Sequence, residues 1–148
     1  MINMIVKHTE ITFTTSHEMS WKDITPEINR VLQEWNATTG IVSIQVIGST
    51  GSVVSIECEE QLLTHDIHEI YKRIAPPFPS GRSKHEAKWK DGNAHSHIRA
   101  TLFGAQQSLN VVNGKLSLGS WQHIVFLEFD IQGRERCVSI VFLGEQNK

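Results

Sequence analysis

Apolar positions along this chain switch between a two-residue and a 3.6-residue period, and the switches mark out its elements. Residues 2–15 alternate loosely and carry β-branched or aromatic side chains at Ile5, Val6 and Ile11-Thr12-Phe13-Thr14-Thr15, which predicts a strand. A helix should follow: Thr25 suits the N-cap, Pro26 the first helical position, and Glu27 the positive end of the helix dipole. Ile28, Val31, Leu32 and Trp35 then fall at i, i+3, i+4 and i+7, one apolar stripe facing a core, and Gly40 is placed to end the segment. Residues 41–47 and 53–58 read as strands separated by Gly48-Ser49-Thr50-Gly51-Ser52. A second helix over residues 60–74 carries Leu63, Ile67, Ile70, Tyr71 and Ile74, and Pro76, Pro77 and Pro79 stop it.

Residues 75–94 show no periodicity, and a loop of that length in a compact domain is functional or disordered. The last third reads as strand and turn. Strands are expected at 98–103, 108–112, 115–118, 122–130 and 137–143, with Asn113-Gly114 as a strong hairpin signal. The sum is one α+β domain over residues 1–148, mostly antiparallel, with two helices covering part of the sheet.

Length and composition narrow the classes. A chain of 148 residues can bury a core without staples, and 20% charged residues argues against disorder. A formal net charge of −2 excludes an overall basic footprint for nucleic acid. Cys58 and Cys137 form no Cys-x-x-Cys pair and are expected as buried free thiols. No stretch approaches the ~20 apolar residues of a membrane span, and none at the start has signal-peptide length. A cytoplasmic protein is the expectation.

The candidate chemistry gathers at Lys88-Trp89-Lys90-Asp91-Gly92-Asn93-Ala94-His95-Ser96-His97-Ile98-Arg99-Ala100. As an extended segment it would put His95, His97 and Arg99 on one face and Ser96, Ile98 and Ala100 on the other. Two imidazoles on a strand, with His85 upstream and Asp91 able to ligate or to orient a ligand, suit a divalent metal such as zinc. Surface or core histidines are the plainer reading. Arg99 matches a phosphate or carboxylate, or else forms a buried ion pair with Glu57, Glu59 or Glu128. Ser49 and Thr50 offer hydroxyls to an anion, although a simple hairpin explains their loop equally. Glu57 and Glu59 share a face as candidate acid/base groups or as a solvated strand end. Trp121, beside Gln122, either walls a pocket or sits in the core. His8, His17, His65, His68 and His123 look incidental.

Taken together, Trp89-x-Asp91-Gly92-Asn93-Ala94-His95-Ser96-His97-Ile98-Arg99-Ala100-Thr101-Leu102-Phe103-Gly104 is similar to the signature of the YjbQ-like family, also called the secondary thiamine-phosphate synthase family. The run from Val112 to Asp130, with Gly119-Ser120-Trp121-Gln122 inside it, resembles the same family, as do Gly48-Ser49-Thr50-Gly51-Ser52 and Ile56-Glu57-Cys58-Glu59. Gly48 stands where many members have histidine, and Ser120 and His123 stand where threonine and glutamine are usual. The resemblance implies a β-sandwich-like sheet, a homotrimer and a histidine-lined, metal-binding cleft. Carried over by position, it makes His85, His95 and His97 the metal ligands, with Asp91, Asn93 and Arg99 supporting them or facing substrate.

Three functions follow as expectations. The resemblance implies a transferase joining hydroxymethylpyrimidine diphosphate to a thiazole phosphate. Three histidines with an open position suit instead a zinc-dependent hydrolase of a small phosphorylated metabolite. The third is a non-catalytic metabolite- or metal-binding trimer. Catalytic roles would fall to Arg99, Asp91 and Glu57, and substrate contacts to Ser49, Thr50, Asn93, Trp121 and Gln122. The partner would be a small anionic or phosphorylated metabolite, and neither nucleic acid nor membrane.

Overall fold

The computed structural model describes residues 2–147. In chain order its elements are β1 (Asn3–Thr14), β2 (Trp21–Asp23), α1 (Thr25–Glu34), β3 (Ala37–Val46), β4 (Gly51–Glu57), a π-helical turn (Leu62–Asp66), α2 (Ile67–Ile74), α3 (Lys84–Trp89), α4 (Ala94–Phe103), β5 (Gln106–Val112), β6 (Lys115–Leu116), β7 (Gln122–Glu128) and β8 (Glu135–Gln146). The strands form two antiparallel sheets, one in the order β1-β8-β3-β5-β6 and one in the order β2-β7-β4. The α+β reading holds.

The two sheets pack face to face. Ile11, Val42, Ile44, Val138, Ile140 and Phe142 of the larger sheet meet Val53, Ile124 and Phe126 of the smaller one, and α1 adds Ile28, Val31 and Leu32. A second core lies on the other face of the smaller sheet, where Val125, Leu127 and Phe129 pack against Leu63, Tyr71 and Ala100. β7 therefore lies between two cores, which is why its residues 124–128 are all buried. β8 has one core face only, and its burial alternates as a half-buried strand should. Each fully buried aliphatic or aromatic side chain contributes ~1.5–3 kcal/mol.

Asn113 and Gly114 take left-handed backbone angles (φ 51° and 79°) and join β5 to β6. Both central residues of a type I′ turn need that region, so the Asn-Gly signal works as expected. Cys58 and Cys137 are free and half-buried. Trp121 is 76% exposed and belongs to no core. Among the described residues no helix is long and apolar enough to cross a membrane.

One expectation is corrected here. The segment expected as a strand from residue 98, with the His-Ser-His-Ile-Arg face before it, is the helix α4. Its buried positions include Ser96, Arg99 and Ala100, a spacing of three and four rather than two. The alternation was an accident of residue type: Ile98 is 41% exposed, outside the core it would have joined as a strand residue. The preceding stretch, read as loop, contains α3, which is only six residues long and buries none of them, so it left no apolar stripe to find.

Candidate functional site

α4 is seated by its contact with the smaller sheet. Ser52 at the start of β4 donates its hydroxyl to the Ala100 carbonyl at 3.0 Å, and the Val53 amide donates to the Gly104 carbonyl at 3.3 Å. With the helix anchored there, His95 and Arg99, four residues apart, face inward together. His97 is two residues from His95 and so lies on a different side of the helix.

The inward pair closes on Glu18, from the turn between β1 and β2. His95 Nε2 lies 2.9 Å from Glu18 Oε1, and Arg99 Nη1 donates to the same oxygen at 3.5 Å. Arg99 Nε donates to the Ala75 carbonyl, just past α2, at 2.9 Å. The guanidinium is 2% exposed, and burial pushes its pKa below the ordinary value while Glu18 opposes the shift. Arg99 is thus the buried ion pair of its plainer reading, with Glu18 in place of the expected Glu57, Glu59 or Glu128. The group presented outward is Glu18, whose side chain is 35% exposed.

His97 meets His85 instead. Their ring centroids lie 5.0 Å apart, and His85 Nδ1 is 3.5 Å from Asp91 Oδ1. No hydrogen bond joins the two, and His85 Nδ1 is buried without a partner. Lys90 and Gly92 both adopt left-handed backbone (φ 58° and 68°), reversing the chain between α3 and α4 so that Asp91 comes back over His85. Turned so that its nitrogen faces Asp91, the orientation that satisfies both groups, the Asn93 amide donates to Asp91 Oδ1 at 2.9 Å and Oδ2 at 3.2 Å. A cavity of about 280 Å³ opens between α3 and α4, lined by His85, His97, Lys84, Ser83, Phe78 and Ile98. His95 is on the inner side, its Nδ1 buried and also partnerless. The three histidines therefore divide two and one.

A third charged group follows β7. Arg136 donates from Nε and Nη2 to the two oxygens of Glu128, both at 2.7 Å, and from Nη2 to the Thr50 hydroxyl at 2.9 Å. The Thr50 hydroxyl donates to Asp130 at 3.0 Å, and Arg134 also donates to that carboxylate. Burial would raise the Asp130 carboxyl, but hydrogen bonds from Arg134 and Thr50 outweigh it and hold it below its usual range. Burial wins at Glu128, pushing its carboxyl up against the pull of Arg136. Thr50 is committed to this network, whereas Ser49 is exposed. The Gly92 loop reaches the same neighbourhood, since a Cβ at Gly92 would lie 3.8 Å from Ile131.

The remaining sequence candidates lie elsewhere within one chain. Glu57 pairs with Gln122 at the end of β4 opposite Gly51, which pairs with Glu128. Six residues of strand separate the two ends by about 20 Å. Trp121 is adjacent to Gln122, and the Gln122 amide oxygen accepts from the Gly119 amide at 3.0 Å. A hollow of about 730 Å³ between α1 and the β5–β6 turn is lined by Asn29, Asn36, Asn113 and Lys115 and by none of the candidates. Glu18, Asp130, Arg134 and Arg136 were not identified from sequence. Arg134 and Arg136, four and six residues beyond Asp130, offered a signal in their i, i+2 spacing, but Glu18 is 77 residues from His95 and offered none.

Sandwiched antiparallel sheets with a helical layer carrying a histidine- and carboxylate-rich end define a class of small α+β proteins. The model of the YjbQ-like UPF0047 family matches residues 9–145, and the chain belongs to that family. It is 36% identical over 121 residues to a UPF0047 protein of Methanothermobacter thermautotrophicus, covering 82% of this chain and 81% of that one. It is 32% identical over 127 residues to YugU of Bacillus subtilis, covering 85% and 90%. A crystal structure from Sulfolobus solfataricus, of a protein of unknown function, superposes with a TM-score of 0.88 at 34% identity, covering 97% and 100%.

Proposed function

We propose that this chain binds a small phosphorylated metabolite together with a divalent ion at the cavity lined by His85 and His97, beside Asp91, and hydrolyses its phosphoester. The observation that carries the reading is the buried, unpartnered Nδ1 of His85, set 3.5 Å from a carboxylate and facing a second imidazole ring at 5.0 Å. An unsatisfied buried nitrogen is costly, and a bound cation removes the cost. Two imidazoles and a carboxylate suit zinc better than magnesium, which prefers oxygen ligands, although their ligand atoms do not all lie within 4.8 Å of one another and a ring must swing inward to close on the ion.

Such an ion, when bound, lowers the pKa of coordinated water and polarises a phosphoryl oxygen. The chain supplies the rest. Asn93 fixes the Asp91 carboxylate, and Lys84 on the cavity wall offers a positive charge to the anion. His95 and Arg99 hold the Glu18 carboxylate on the inward side of α4 and so steady the helix that carries His97. Water then adds to phosphorus as the ester oxygen leaves with a proton, giving an alcohol and inorganic phosphate.

The homotrimer implied by family resemblance is part of the proposal. Val6, Leu143 and Ile41 align in register across β1, β8 and β3, and all three are more than half exposed, a row of apolar side chains suited to burial against another copy. The test is zinc binding by the purified full-length protein, measured by equilibrium dialysis, with a phosphatase assay on a panel of phosphorylated metabolites. His85→Ala and His97→Ala should each bind one zinc fewer per chain than wild type and lose the activity, while His95→Ala should bind as wild type does. Joining of hydroxymethylpyrimidine diphosphate to thiazole phosphate, with no hydrolysis of any ester, would replace the hydrolase with the transferase. Equal zinc binding by wild type and His85→Ala would overturn the site.

A further inference from the structure

At the far end of the smaller sheet, away from Glu128 and Thr50, three side chains of different chemistry converge. His123 is near the start of β7, opposite Ile56 of β4. Cys58 lies two residues beyond Ile56 and so falls on the same face. Asp23, the last residue of β2, pairs with Val125, again two residues from His123 and on that face. Strand register alone thus brings a thiol, an imidazole and a carboxylate from three adjacent strands to one end of one face. One ligand atom from each lies within 4.8 Å of the other two. His123 looked incidental in sequence because its partners stand 100 and 65 positions away.

The carboxylate is already oriented. Asp23 Oδ1 accepts from the Thr25 backbone amide at 3.0 Å, where α1 begins, and Oδ2 is 2.7 Å from His123 Nδ1. A carboxylate held by one oxygen leaves the other aimed, as the outer partners of metal ligands commonly arrange. Tetrahedral zinc with S, N and O ligands at ~2.0–2.3 Å separates its ligand atoms by roughly 3.3–3.7 Å. The Asp23–His123 contact therefore needs to open by under about 1 Å, and the thiol, already within 4.8 Å of both, to close by no more than about 1.5 Å.

We propose that Asp23, Cys58 and His123 form a binding site for a zinc-class divalent ion, with water completing the tetrahedron. Thiolate and imidazole favour zinc or cobalt over calcium and magnesium. The site would tie β2, β4 and β7 together at the start of α1, so the ion should stabilise the folded chain by an amount that grows with the logarithm of its free concentration above Kd. It is independent of the His85–His97 cavity in residues and in place.

Cobalt(II) titration of the full-length, chelator-treated protein tests this. A thiolate ligand gives cobalt an intense sulfur-to-metal charge-transfer band, which imidazole and carboxylate ligands cannot produce. Expected is a band lost in Cys58→Ser, retained in Cys137→Ser, and saturating at one equivalent per chain in His85→Ala, which lacks the other proposed site. His123→Gln should keep the fold and weaken cobalt binding at least ~10-fold, and it decides the matter should Cys58→Ser fail to fold. No band in wild type, a band surviving in Cys58→Ser, or unchanged affinity in His123→Gln would each overturn the proposal and reduce the cluster to a hydrogen-bonded Asp–His pair beside a thiol.

Discussion

Removing Arg136 should cost more stability than any single change at the surface. Its side chain is 5% exposed and Glu128 is fully buried, with two 2.7 Å hydrogen bonds between them. In Arg136→Met the Thr50 carbonyl keeps the Phe129 amide donor at 2.9 Å, so it is not orphaned. The cost is therefore set by the Glu128 carboxylate, left charged in a dry core at about 3–5 kcal/mol. For a domain of this size each kcal/mol moves Tm by about 2–4 °C, giving a loss of about 6–20 °C. Part of it should be recoverable. Burial already raises the Glu128 carboxyl, and without Arg136 it rises further, so the native state can take a proton and the deficit relative to wild type should shrink as pH falls. Glu128→Met/Arg136→Met removes both charges and should be more stable than Arg136→Met alone by about 2 kcal/mol. Urea denaturation of wild type, Arg136→Met, Glu128→Met and the double variant at pH 7 and pH 5 measures all of this. An Arg136→Met protein within about 1 kcal/mol of wild type, or a double variant costing the sum of the singles, would refute the reasoning.

Arg99→Met should destabilise the chain by about 1–3 kcal/mol in thermal melts, because the Ala75 carbonyl loses its donor; an unchanged Tm would show that Arg99 is poised for a ligand instead. The Asp130 carboxyl, depressed by Arg134 and Thr50, contributes stability that is present above the unfolded carboxylate pKa and lost as pH falls through its folded value. Asp130→Asn should accordingly be less stable at pH 7 and show a shallower acid-unfolding curve below pH ~4, and an acid limb identical to wild type would contradict that. Light scattering should give the mass of three chains for wild type and of one for Leu143→Glu, since the substitution places charge amid the exposed Val6–Ile41 row; a monomeric wild type would contradict the proposed assembly.

Elements with one strong period were legible from the chain alone. The α1 stripe, the Asn113-Gly114 turn and the alternating β8 each follow from local rules that burial then reinforces. α4 was not, because His-Ser-His-Ile-Arg satisfies a strand pattern in polarity while its packing against β4 through Ser52 and Ala100 selects the helix. That one change of period also divided the histidines, sending His95 inward to Glu18 and leaving His97 beside His85. The residue types of the candidate site were legible, and their partners were not. Glu18, Arg136 and Asp23 acquire their roles only when strands and turns distant in sequence become neighbours.

Anomalous diffraction from a zinc-soaked crystal shows whether His85, His97 and Asp91 hold a metal ion. A zinc peak is expected within ~2.0–2.2 Å of both imidazoles and of the Asp91 carboxylate. A well-occupied zinc elsewhere on the chain, with nothing between His85 and His97, would contradict that expectation.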